Sequence, residues 1–136
     1  GVSCLGGTMH KSRLAALVID SKVEDIEEAN KFWEKALGLN CVRSSESWSD
    51  RYSHLEVPDD QPRILIQKVD HDSRVHLDIE TDDVSAEVKR LSALGAKIFE
   101  VFERWVVMEA PTGHRFCVVN PQRPDFPESK NVNFWE

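Results

Sequence analysis

The stretch Arg74–Asn120, RVHLDIETDDVSAEVKRLSALGAKIFEVFERWVVMEAPTGHRFCVVN, decides the fold. Arg74 to Glu80 alternates polar and apolar residues as a half-buried strand does. Asp83 to Leu94 repeats its apolar residues at helical spacing, and Gly95 supplies the stop. Lys97 to Glu103 and Trp105 to Glu109 read as two further strands. Pro111 to Gly113 forms a turn that leads into a last strand, His114 to Val119. The order is one β-α-β-β-β unit.

The same plan recurs upstream. Arg13 to Asp20 reads as a strand. The acidic residues Glu24, Asp25, Glu27 and Glu28 crowd the start of a helix, where they favour the positive end of its dipole. Ile26, Ala29, Trp33, Ala36 and Leu37 recur at helical spacing, and Gly38 closes the helix. Asn40 to Ser44, Arg51 to Val57 and Arg63 to Val69 are then three strands. Leu17 to Ser21 answers to Leu77 to Thr81, and Ala36-Leu37-Gly38 to Ala93-Leu94-Gly95. The fold class is therefore α+β, two tandem β-α-β-β-β modules over 13–69 and 74–120 within one domain, 9–120.

The ends are read differently. Gly1 to Thr8 looks like the remnant of an expression tag, with Met9 as the natural start. Residues 121–136 carry prolines that forbid helix and central strand, so an irregular tail is expected. The exposure of Phe126, Phe134 and Trp135 would be costly, so this tail either packs back on its own domain or on a partner subunit, or is a frayed end with disordered aromatics.

Composition narrows the function. A chain of 136 residues with a net charge of −7 lacks the clustered cations that nucleic acid or an anionic membrane needs. No apolar run approaches the roughly 20 residues that cross a bilayer. Three cysteines make no disulfide framework, and Cys41 and Cys117 read as reduced thiols in a cytoplasmic protein. Phosphate loops, Cys-x-x-Cys pairs, His-Glu-x-x-His helices and nucleophile elbows are absent from the sequence.

Two runs carry a resemblance. Val75-His76-Leu77-Asp78-Ile79 followed by Ala93 to Ala96 and Trp105 to Val119 is one, and Phe32-Trp33 with Ala36-Leu37-Gly38 is the other. Together they resemble a glyoxalase-like domain of the vicinal oxygen chelate superfamily, the group of glyoxalase I, bleomycin-resistance proteins and extradiol dioxygenases. The resemblance implies paired modules whose curved sheets face each other around a cavity, and often a homodimer. Metal-using members place one ligand on the first and one on the last strand of each module. Carried onto this chain, those positions are Ala16, Leu65 or Gln67, His76 and Cys117. Alanine cannot ligate, glutamine is a weak neutral donor, and a thiolate suits Zn or Ni better than the hard sites of Mn or Fe.

Strand alternation adds candidates. His76 and Asp78 face away from the helix, as do Arg115 and Cys117. An acid, a base and a cation in one cleft can move a proton, and an Asp78–Arg115 pair can equally well only fix strand register. Trp48, Tyr52, His54 and Trp105 form a candidate stacking wall for a planar ligand, with Gln67 beside them. His71 reads as solvated, His114 as a turn residue and His10 as part of a mobile head. The leading expectation is a protein that binds a small organic molecule without the inherited metal. The competing expectation is a lyase, isomerase or dioxygenase that uses a divalent metal (Zn, Ni, Fe or Mn) on an altered set, His76, Cys117 and Gln67.

Overall fold

The computed structural model describes residues 9–43 and 51–136. It is an α+β protein built as two β-α-β-β-β modules. The first comprises β1 (His10–Ser21), α1 (Ile26–Leu37), β2 (Cys41–Arg43), β3 (Tyr52–Leu55) and β4 (Arg63–Lys68). The second comprises β5 (Arg74–Thr81), α2 (Val84–Ala93), β6 (Lys97–Val101), β7 (Trp105–Glu109) and β8 (Arg115–Val119), and β9 (Asn133–Trp135) follows. Two compact units result, Ala16–His76 and the described part of Gly1–Ala15 with Leu77–Glu136. The boundaries fall inside β1 and β5, so each of these strands runs through both units.

In the first unit the C-terminal half of β1 pairs in parallel with β4, from Ala16↔Arg63 to Ser21↔Lys68. A parallel pair needs a crossover, and α1 provides it. Asp25 caps α1 by accepting from the Glu27 amide, and Glu28 returns its side chain to the Asp25 amide. Gly38 ends the helix at φ 66°, a left-handed conformation that costs a glycine little. Ile26 and Ala29 of α1 pack on Cys41, Leu55 and Ile66, with Trp33, Leu39 and Ile64 around them. Ala36 and Leu37, expected on this apolar face, are exposed instead. Asn30 takes an inward place, because its amide accepts from Ser53 Oγ and donates to Glu27.

The second unit repeats the device. β5 runs parallel to β8, from Leu77↔Phe116 to Glu80↔Val119, and β8, β7 and β6 are antiparallel neighbours. Asp83 caps α2 through the Ala86 amide, so the expected helix ends Asp83 and Leu94 are its two caps. Leu91 packs on Val106, Met108 and Val118, joined by Ile79, Val88 and Phe116. A register shift between Ile98 and Glu100 bulges β6.

Head and tail depart from expectation together. β1 starts at His10 rather than Arg13, because His10, Lys11 and Ser12 pair antiparallel with Trp135, Phe134 and Asn133 of β9. The tail read as irregular thus ends in a strand. His10, expected in a mobile head, is buried with Nε2 2.7 Å from Glu87 Oε1. Phe126 is only 1% exposed, and the Arg13 guanidinium lies 5.3 Å above its ring. Beside it, Glu80 accepts from Arg13 Nε at 2.7 Å, Arg123 Nε at 3.0 Å and the amides of Gln122 and Arg123 at 2.6 and 3.1 Å. Burial pushes the Glu80 carboxyl upward, but these donors outweigh it and hold the group below the usual glutamate range.

Candidate functional site

Register assigns the faces of each module. In the first, Ile64 and Ile66 pack under α1, so Leu65 and Gln67 lie on the opposite face. Leu65 is opposite Val18 and His54, and Gln67 is opposite Asp20 and Tyr52. In the second, Phe116 and Val118 pack under α2, so Arg115, Cys117 and Val119 face away. Val107 pairs with Cys117, Glu109 with Arg115 and Trp105 with Val119, which puts these β7 residues on that face too.

The two registers also settle an alternative. Ile19 is opposite Ile66 and Ile79 is opposite Val118, and Ile66 and Val118 are both completely buried under their helices. Ile19 therefore corresponds to Ile79, and Ala16 to His76. On the last strands Leu65 corresponds to Cys117, and Gln67 corresponds to Val119. The positions to which the resemblance carries the first module's ligands are thus alanine and leucine, side chains that cannot donate to an ion.

His76 is held tightly. Its Nδ1 lies 2.6 Å from Asp20 Oδ2, a carboxylate oxygen placed to accept a proton-bearing Nδ1 and so to orient the ring. Asp20 is 3% exposed, and Arg74 Nε stands 3.9 Å from the same oxygen. The other oxygen, Oδ1, is buried and meets no hydrogen-bond donor among the described residues. Strand parity alone puts Asp20 on the same face as Ala16 and Val18, and its match in the repeat is Glu80; its bond to His76 is decided by the fold. Further along β5, Asp78 lies on the same face as His76, and Cys117 is its register partner on β8. One donor atom from each of His76, Asp78 and Cys117 lies within 4.8 Å of the others.

The remaining candidates separate into small groups. Arg115 does not pair with Asp78 as the sequence suggested. Its Nε donates to Glu109 Oε1 at 3.0 Å, because Glu109 is its direct cross-strand partner. Gln67 donates to the Tyr52 hydroxyl at 3.0 Å rather than joining a metal set. His54 shares a face with Leu65, and burial, helped by Arg63, depresses its pKa. Trp105 stacks on Phe102, ring centroids 4.6 Å apart, and Phe102 escaped the sequence reading because it sits at a strand end. Trp48 lies outside the described residues. His114 does hold its turn, with Nδ1 2.7 Å from Thr112 Oγ1.

A separate cleft of about 750 Å³ opens beside α2, lined among others by His10, Lys89, Arg90 and Trp135. Its groups serve one another. Arg90 makes a two-pronged pair with Glu87 and lies 3.8 Å over the Trp135 ring, and Trp135 Nε1 donates to Ser12. The tail strand β9 forms part of the wall of this cleft through Trp135.

Comparison with known proteins agrees with this architecture. No curated protein matches the chain. Among solved structures, a methylmalonyl-CoA epimerase from Mycobacterium tuberculosis superposes with a TM-score of 0.58 at 17% identity, covering 85% of this chain and 91% of that one. A structure described as an NAD-dependent benzaldehyde dehydrogenase from Legionella pneumophila gives 0.59 at 12% identity, covering 79% and 98%. An extradiol ring-cleaving dioxygenase from B. fuscum gives 0.55 at 13% identity, with 82% of this chain covering 33% of the larger one. At such identities the likeness is one of fold. The family model of the glyoxalase-like domain matches residues 16–119, and the chain belongs to that family.

Proposed function

We propose that this protein binds a small organic molecule on the sheet faces turned away from its helices, without the metal site inherited by catalytic relatives. The observation that supports this reading is the pair of registers in which Ala16 answers to His76 and Leu65 to Cys117, since neither alanine nor leucine can ligate an ion. The other face-lining groups support it: Tyr52 and Gln67 bond each other, and Trp105 and Phe102 make a half-exposed aromatic surface. No helix among the described residues is long and apolar enough to cross a membrane. The free thiols of Cys41 and Cys117 accord with a reducing, cytoplasmic setting, and a homodimer is part of the proposal.

One observation favours a second reading. The donor atoms of His76, Asp78 and Cys117 are close enough to share an ion, and Asp20 fixes the His76 ring as an outer-shell carboxylate does. A borderline-soft ion such as zinc would suit imidazole, thiolate and carboxylate, leaving one position open for chemistry. The protein would then be a metal-dependent lyase, isomerase or dioxygenase on an altered ligand set. Elemental analysis of protein purified without a metal-affinity tag decides between the two. The binder reading expects no stoichiometric metal, even after supplementation with Zn, Ni, Fe or Mn. One equivalent in the wild type, lost in His76→Ala, overturns it in favour of the enzyme.

A further inference from the structure

The face of the second unit turned away from α2 has a polarity along its length. At one end of β7, Trp105 and Phe102 are stacked and each is 37% exposed. At the other end Arg115 lies flat, its guanidinium carbon 3.4 Å from the centre of the Phe99 ring, with Nε tied to Glu109. Trp105 and Glu109 share this face through their partners Val119 and Arg115. Four residues of strand separate the two ends, about 13 Å at the usual rise of roughly 3.3 Å per residue. Val107 and Cys117 pave the distance between them.

The guanidinium is built to receive something. Phe99 and Glu109 fix its plane, and among the described residues its two Nη atoms meet no hydrogen-bond acceptor. A planar fork immobilised with its Nη edge open matches a carboxylate, which can accept two parallel bonds. The charge around it sets the valence of the guest. Among the described residues, register puts Arg115 and Lys97 on this face as cations and Glu109, Asp78, Glu100 and Glu80 as acids, Glu80 being buried and already met by Arg13 and Arg123. A monoanion is tolerated there, and a polyphosphate would be repelled. The stacked rings at the far end offer an apolar platform for a flat group.

We infer that the occupant of this face is an elongated monocarboxylic acid with a planar aromatic end, its carboxylate on the Nη edge of Arg115 and its ring against Trp105 and Phe102. The inference rests on the reading of these faces as a ligand site and narrows it to a chemical class.

Isothermal titration with 6-(2-naphthyl)hexanoate and with the matching neutral alcohol, 6-(2-naphthyl)hexan-1-ol, tests it. The acid is expected to bind about tenfold tighter than the alcohol or better, the worth of a charge-assisted pair. Arg115→Gln should bring the acid down to the alcohol's affinity and leave the alcohol within about twofold. Trp105→Leu should weaken both probes together. Arg115→Lys keeps the charge without the fork and should lose part of the preference, which covers the case in which the glutamine variant does not fold. Equal binding of acid and alcohol by the wild type, or an unchanged preference in both Arg115 variants, overturns this inference and leaves the binder reading standing. Failure of both probes to bind, together with one equivalent of bound metal, overturns the binder reading and this inference with it.

Discussion

Asp20 and Glu80 occupy the same place in the repeat and have opposite fates. Each lies near the C-terminal end of its module's first strand, opposite Gln67 and Val119 respectively. Each is buried, Asp20 at 3% exposure and Glu80 at 0%. Asp20 spends its charge on orienting one imidazole, and its other oxygen meets no donor among the described residues. Glu80 is saturated by two guanidinium groups and two backbone amides. Acids at matching places in the two modules thus differ in role, one positioning an imidazole and the other anchoring head and tail. The difference is one of supply, since among the described residues the second unit has Arg13 and Arg123 within reach of its acid and the first has Arg74, at 3.9 Å, and His76.

The contrast is best broken at Glu80. Glu80→Gln leaves Arg13 and Arg123 in a buried setting without their counter-charge and is expected to cost about 3–5 kcal/mol, read from urea denaturation. The pH dependence has a definite sign. The Glu80 carboxyl titrates below the usual glutamate range in the folded chain. Its contribution is therefore present above the unfolded pKa and is lost as pH falls through the folded one. In the glutamine variant the acid limb of the stability curve should be shallower, and an unchanged limb would remove Glu80 from this role.

Phe126 tests the same clasp by packing alone. Phe126→Ala empties a site that is 1% exposed and is expected to cost about 3–5 kcal/mol, slightly less if the tail collapses inward. A loss under about 1 kcal/mol would mean that the tail contributes little to the unit.

Asp20→Asn sharpens the other half of the comparison. Asparagine keeps an acceptor for His76 but loses the charge, and a cost of about 1–3 kcal/mol is expected, smaller than at Glu80 because fewer donors are stranded. The nitrogen chemical shifts of the His76 ring should show Nδ1 protonated in the wild type and a mixture of tautomers in the variant. An unaltered tautomer would show that Asp20 does not position the ring.

The smallest effect is expected at Glu27. Hydrogen bonds from Arg43, opposed by slight burial and aided by Asn30, hold its pKa at about 2. Both partners of the ion pair are well exposed, so solvent screening leaves Arg43→Ala a cost under about 1 kcal/mol. The carboxyl should return toward the ordinary glutamate value in a proton titration by NMR. The small stabilisation is present above the unfolded value and disappears as pH falls toward about 2.

The sequence by itself determined the two modules, because strand and helix periods are local properties of the chain. Alternation in Arg74–Glu80, helical spacing from Ile26 to Trp33, and glycines at 38 and 95 are legible without neighbours. It also determined that His76, Asp78, Arg115 and Cys117 share a face, since parity along a strand needs no tertiary knowledge. Register was beyond it. Whether Leu65 or Gln67 matches Cys117, and whether Arg115 meets Asp78 or Glu109, depends on which residues lie opposite across two strands. Nor could the sequence show that His10 meets Glu87, or that Arg13 meets Glu80 and Phe126, because these partners lie far apart along the chain. Local patterns follow from bonded geometry, whereas pairings across the chain follow from which buried charges and apolar groups can satisfy one another, and only the folded structure decides that.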